Sequence, residues 1–227
     1  MLTPRELAAM IDHTLLSPSA TRAEVRALCA EAVYHGFATV CVSPVLVADA
    51  ARSLEGTLVR VCAVVGFPCG THLPATKAHE TAEVLRRGAS EIDMVIRIGA
   101  LKEGEDREVR DDIRAVVEAA NGRPVKVILE TCYLNEDEKA KGCLLAMEAG
   151  ASFVKTSTGF GAAGATAEDV GLMRRIVGKS FGVKAAGGIR TLADALRMIR
   201  AGADRLGTSG SVAIMEELEE KSKRGIT

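Results

Sequence analysis

The chain has 227 residues, 48% hydrophobic and 26% charged, the balance of a globular protein able to bury a sizeable core, and its length forces no second domain. Its 29 Lys and Arg offset 30 Asp and Glu, so no basic excess exists to neutralise a nucleic-acid backbone or an anionic membrane, and a small molecule is the expected partner. The six cysteines form no CxxC pair and no histidine stands at zinc-ligand spacing, residues 1–10 lack a signal-peptide pattern, and no apolar run is long enough to span a membrane; free thiols and a cytoplasmic setting are expected.

In chain order, short Val-, Ile- and Ala-rich runs alternate with longer amphipathic stretches. A strand is predicted at 10–15, where "IDHTLL" carries Asp12, His13 and Thr14, then a helix at 22–35 between the N-cap residue Thr21 and Gly36. The second strand, 37–42, ends near Cys41 in "CVSP" and leads to a helix at 44–53. The third, 60–65, precedes a helix at 74–87 closed by Gly88. The fourth, 91–96, carries Asp93 in "EIDMVI", and a helix follows at 105–120. The fifth, 125–130, ends with Glu130 and Thr131 in "VILET" before a helix at 135–149 and Gly150. The sixth, 152–156, holds Lys155 in "FVKTSTGFG", with Thr166 capping a helix at 167–177. The seventh, 182–185, holds Lys184 in "VKAAGG", with Thr191 before a helix at 192–200 and Gly202 after it. The eighth, 204–208, runs into "RLGTSGS" and a last helix at 212–220.

Eight strand-helix pairs with no large insertion predict an α/β fold, a (β/α)8 TIM barrel in a single domain spanning 1–227. In such barrels chemistry collects at the C-terminal ends of the strands. A lysine inside a short apolar strand must either reach solvent or have a buried purpose, and a lone one is ordinarily an ion-paired rim residue. Lys155 and Lys184 on adjacent strands change that reading, because two neighbouring ammonium groups repel and one is relieved by losing its proton, which leaves a nucleophilic amine. Asp93 is then either their counter-ion or a proton carrier, and Asp12 either a carboxylate near the barrel floor or part of the same chemistry. The turns "STGFG", "AAGGI" and "GTSGS" expose backbone N–H groups at three successive strand ends, with Ser209 and Ser211 opening the last helix, an arrangement suited to a phosphate.

With those residues assembled, the chain resembles the deoxyribose-phosphate aldolases, class I Schiff-base aldolases of (β/α)8 fold. "IDHTLL", "VCVSP", "VVGFPCG", "TKAHET", "GASEIDMVI", "VKVILETCYL", "FVKTSTGF", "KAAGGIRT" and "RLGTSGS" follow the family's segments in order through nearly the whole length. The resemblance implies reversible cleavage of 2-deoxy-D-ribose 5-phosphate to acetaldehyde and D-glyceraldehyde 3-phosphate, without metal or organic cofactor. It implies Lys155 as the Schiff-base lysine, Lys184 as its perturbing neighbour, Asp93 as acid-base carboxylate and Asp12 as part of the proton relay. The substrate and phosphate side is then formed by Cys41, Thr158, Gly159, Gly187, Gly188, Gly207 and Ser209, and homo-oligomerisation stays open.

Three departures from the family pattern stand out. Ser43 replaces a larger residue, Phe160 stands where some relatives have a lysine, and the tail "KSKRGIT" has no terminal tyrosine to shuttle protons. Two competing readings are a metal-dependent aldolase, whose only candidate ligands are His72 and His79, and a non-catalytic sugar-phosphate sensor, which needs the glycine turns without a reactive lysine.

Overall fold

The computed structural model describes residues 2–223, so Met1 and the tail residues 224–227, on which the expectations about a leader and a terminal tyrosine partly rest, lie outside the described residues. Eight parallel strands close into a barrel in sequence order: β1 (Ile11–Leu15), β2 (Thr39–Val42), β3 (Arg60–Val65), β4 (Glu91–Val95), β5 (Val125–Ile128), β6 (Phe153–Lys155), β7 (Gly182–Ala186) and β8 (Arg205–Thr208), with β8 pairing back to β1. The expected (β/α)8 architecture is therefore the observed one.

The helices are α1 (Pro4–Ala8), α2 (Arg22–His35), α3 (Val47–Ser53), α4 (Pro74–Arg86), α5 (Ile98–Glu103), α6 (Asp106–Ala119), α7 (Glu136–Glu148), α8 (Ala167–Val177), α9 (Leu192–Ala201) and α10 (Ser211–Lys223). Thr21, Thr166 and Thr191 cap α2, α8 and α9 as expected, each accepting a hydrogen bond from the backbone three residues on. Asn135 does the same for α7. Each such cap satisfies an otherwise orphaned amide and is worth about 1 kcal/mol. Two short helices, α1 and α5, were not foreseen, and the stretch expected as one helix from residue 44 opens instead as a 3-10 turn at Pro44–Leu46. Both helices have at most six residues, too few for a periodic apolar face to be legible in sequence.

Alternation along the strands sorts the side chains into two cores. Val40, Val42, Val61, Ala63, Ile92, Met94, Val125, Val127, Val154, Val183 and Leu206 join the buried apolar layer between barrel and helices. The residues between them are polar to an unusual degree: Asp12, Glu91, Asp93, Lys126, Lys155 and Lys184 are all buried, and they converge in the barrel interior. The barrel is thus held together by its outer apolar shell and carries a charge cluster inside.

The fifth strand departs from its expected limits. It stops at Ile128, and Glu130 adopts φ 55, in the left-handed region, before a 3-10 turn at Thr131–Tyr133. Backbone bonds from Leu129 N–H to Lys155 O and from Thr131 N–H to Thr156 O, 2.9 and 3.0 Å, flank it on both sides.

Candidate active site

Lys155, the last residue of β6, and Lys184, in the middle of β7, are register partners. Their ammonium groups do not simply confront one another, because both donate to a single oxygen, Asp93 Oδ2, at 2.8 and 2.7 Å. The other oxygen, Asp93 Oδ1, accepts from Lys126 Nζ at 2.9 Å and from the Cys62 thiol at 3.1 Å. Lys184 also pairs with Asp12, whose second oxygen is held by Arg205. Glu91 completes the base of the cluster, 2.7 Å from Lys126 Nζ and 3.2 Å from Arg205.

Four largely buried cationic side chains (Lys126, Lys155, Lys184, Arg205) therefore surround three carboxylates (Asp12, Glu91, Asp93), one positive charge in excess among these groups when all are ionised, with the exposed Arg60 3.8 Å from Glu91 at the edge. Burial by itself would push the Asp93 carboxyl up, but Lys126, Lys155 and Lys184 together outweigh it and hold Asp93 well below the usual carboxylate range. Asp12 is depressed in the same way, burial being overcome by Lys184, Lys126 and Arg205. Burial would lower Lys184, yet Asp12 and Asp93 push it above an ordinary lysine, and Lys126 is raised likewise by Asp93 and its neighbours. Lys184 and Lys126 are fixed cations at neutral pH. Lys155 differs in position, since it alone among the three lysines borders the open cavity.

That cavity, about 370 Å³, lies at the C-terminal mouth of the barrel. Thr158, Gly159, Gly187, Gly188, Gly207 and Ser209 all line it beside Lys155, so the expected phosphate-side residues are brought together. Among the described residues, the N–H groups of Gly159, Gly187, Gly188 and Ser209 donate to no protein acceptor, and the N-terminus of α10 begins two residues after Ser209. Open amides and a helix N-terminus on one wall are the groups suited to an anion. Two glycines, Gly164 behind the wall and Gly207 on it, are dictated by close approach. A Cβ on Gly164 would come 2.2 Å from Gly187 O, and one on Gly207 would come 3.0 Å from Lys184 Cε.

The remaining expected residues sit elsewhere. Asp12, Asp93 and Lys184 are fully buried beneath the cavity floor, and Cys41 is set back with them, packed with Cys62 and Val64 under Leu16 and Phe67. Cys41, Cys62 and Asp93 bring their ligand atoms within 4.8 Å of one another, but both Asp93 oxygens are already engaged by ammonium groups, a poor donor set for a cation. His72 and His79 line a separate surface groove with Pro44 and Glu83. Phe160 lies on the cavity wall, edge-on to Phe67 with ring centroids 5.4 Å apart, and Arg190 is the other charged side chain lining that space. Ser43 immediately precedes the 3-10 turn after β2.

Sequence reasoning missed Lys126, Glu91 and Arg205. A signal was present for each: Lys126 sits between valines in "VKV" as Lys155 and Lys184 sit in their own apolar runs, Glu91 is two residues from Asp93 on the same face of β4, and Arg205 is two residues before Gly207.

The model of the DeoC/LacD family aldolases matches residues 7–215. A deoxyribose-phosphate aldolase of Geobacillus sp. (strain WCH70) is 56% identical over 211 residues, 92% of this chain and 95% of the relative. That of Aciduliprofundum boonei is 56% identical over 217 residues, 95% of this chain and 98% of its own. The solved tetrameric deoxyribose phosphate aldolase from Aeropyrum pernix superposes with a TM-score of 0.90 at 35% identity, covering 96% of this chain and 92% of its own.

Proposed function

The chain belongs to the DeoC/LacD aldolase family, and from that premise we propose that it reversibly cleaves 2-deoxy-D-ribose 5-phosphate to acetaldehyde and D-glyceraldehyde 3-phosphate through a Schiff base on Lys155. The observation that carries the assignment is the position of Lys155: it is the one lysine of the buried cluster that borders the cavity, with fixed cations behind it and open amides across from it.

In the synthetic direction the Lys155 amine attacks the acetaldehyde carbonyl, giving a carbinolamine that loses water to form an iminium. Lys184 and Lys126 stand behind it as cations, and the uncharged amine is the form of Lys155 that this attack requires. Loss of a methyl proton converts the iminium to an enamine, whose carbon attacks the aldehyde of glyceraldehyde 3-phosphate, and hydrolysis then releases the sugar phosphate. Asp93 Oδ2, in contact with both Lys155 and Lys184, takes and returns these protons through one water, and those two contacts support that role. Asp12 and Arg205 hold Lys184, and Lys126 holds Asp93, so the relay is braced from below. The phosphate rests on the amides of Gly159, Gly187, Gly188 and Ser209, which fixes the acceptor aldehyde against the enamine.

The proposed catalytic unit is residues 1–227, at work in the cytoplasm. Among the described residues no helix is long and apolar enough to cross a membrane. The tetramer of the Aeropyrum relative makes a homo-oligomer the expected assembly. Borohydride reduction in the presence of acetaldehyde tests the assignment. The expected result is one reduced two-carbon adduct, mapped by peptide mass to Lys155; an adduct on Lys184 or Lys77, or none at all beside intact phosphate binding, overturns it in favour of another nucleophile or of a sensor.

A further inference from the structure

We infer that Glu130 is a positioning residue that sets the enzyme's preference for a phosphorylated acceptor, by holding the β6–α8 turn in the shape that presents Gly159 to the cavity. The inference rests on the phosphate site proposed above.

Glu130 is buried, 2% exposed, yet among the described residues no cation pairs with it. A carboxylate withdrawn from water without a counter-ion must be repaid by hydrogen bonds. All of the hydrogen bonds to the carboxylate come from one residue: Thr158 N–H approaches Oε1 and Oε2 at 3.2 and 3.3 Å, and the Thr158 hydroxyl donates to Oε2. Thr158 Oγ1 in turn accepts from Phe160 N–H at 3.0 Å. The carboxylate therefore fixes Thr158, whose Oγ1 in turn engages the Phe160 N–H, and Gly159 N–H, between them, is left open.

Two further features point the same way. Glu130 is one of two non-glycine residues with positive φ among the described residues, pinned there by the backbone bonds on either side of it. Such a conformation is unfavourable for a residue with a Cβ and persists where the surrounding structure requires it. Across the turn, Gly161 lies so close that a Cβ would come 3.1 Å from Glu130 Cδ and 2.9 Å from Cys132 Sγ. The turn is wrapped around the carboxylate, with the cavity on its other side. Neither Glu130 nor Gly161 lines the cavity, so the effect on substrate passes through Thr158, Gly159 and Phe160.

The test compares Glu130→Ala, Glu130→Gln and Thr158→Val with wild type on deoxyribose 5-phosphate and on unphosphorylated deoxyribose. Glu130→Ala is expected to raise KM for the phosphorylated sugar by roughly tenfold or more, while kcat/KM for deoxyribose falls less than about threefold and acetaldehyde still labels Lys155 under borohydride. Glu130→Gln is expected to recover part of the KM, because its amide oxygen can still accept from Thr158 N–H and its NH2 can donate to Thr158 Oγ1. Thr158→Val, which keeps the backbone bond and loses the hydroxyl, should raise KM for the phosphorylated sugar less than Glu130→Ala does, and Glu130→Gln carries the test if the alanine variant does not fold. Equal losses on both sugars, or an unchanged KM in Glu130→Gln and Thr158→Val together, would overturn the inference. Failure of the underlying function has a different signature, since wild type itself would then go unlabelled.

Discussion

Lys126 and Asp93 face each other as register partners across β4 and β5, with Lys126 Nζ 2.9 Å from the carboxylate oxygen that Lys155 and Lys184 do not use. The proposed proton carrier is thus clamped at both oxygens. Lys126→Met removes the lower clamp and leaves Glu91 and Asp93 short of a partner in a dry interior. A loss of about 3–5 kcal/mol in stability is expected, the cost of breaking a buried pair from one side. The pH dependence gives the sign. Asp12 and Asp93 are depressed in the folded state, so their contribution is present above about pH 4 and is lost as pH falls through the folded values. Lys126 and Lys184 are raised, so theirs is complete below about pH 10.4 and is lost as pH rises through the folded values. The gap between wild type and Lys126→Met, measured by denaturant unfolding, should be widest between these limits and narrow at both ends. A gap that stays constant from strong acid to strong base would mean the pair contributes by packing alone.

That cluster also marks how far the sequence could be read. The eight strands, the caps at Thr21, Thr166 and Thr191, and the pairing of Lys155 with Lys184 follow from local pattern, because apolar periodicity and turn chemistry act over a few residues. Arg205 and Asp12 are 193 positions apart and meet only because β8 closes onto β1. Nothing local in "RLGT" or "IDHT" announces that contact. Asp12 read from its own segment left open a carboxylate near the floor or a part in the lysine chemistry, and closure makes it the partner of Lys184. Glu130 illustrates a second limit: "VILET" has strand composition to its end, and only the tertiary bond to Thr158 explains why the backbone turns left-handed there.

The proposed phosphate wall makes a separable prediction. Gly188 has φ +78, so Gly188→Val has space around its Cβ but forces a β-branched residue into the left-handed region and moves the amide. Ser209→Glu places a carboxylate beside the same amides. Each should raise KM for deoxyribose 5-phosphate by roughly ten- to a hundredfold while changing kcat/KM for unphosphorylated deoxyribose far less. Steady-state kinetics on the two sugars decides it, and equal losses on both would place the phosphate elsewhere.

The strongest test of the electrostatic account is Lys184→Leu. Wild type holds four cations against three carboxylates; the variant holds three against three, and Asp93 Oδ2 is left with Lys155 alone. Two consequences separate. If Lys184 acts by its charge, removing it strengthens the hold of Asp93 on a protonated Lys155, so activity at neutral pH should fall by roughly 10²–10⁴-fold and return in part as the pH is raised, with the rising limb of the rate profile displaced toward alkali. Schiff-base formation, read by borohydride trapping across the same pH series, should move with it. If Lys184 acts only by relaying a proton or orienting substrate, the profile keeps its wild-type midpoint and is merely lower. Lys155→Leu provides the reference, since without an amine at the cavity wall no pH restores trapping. An unshifted midpoint in Lys184→Leu would refute the charge argument while leaving Lys155 as nucleophile, because the adduct on Lys155 is tested independently of what activates it.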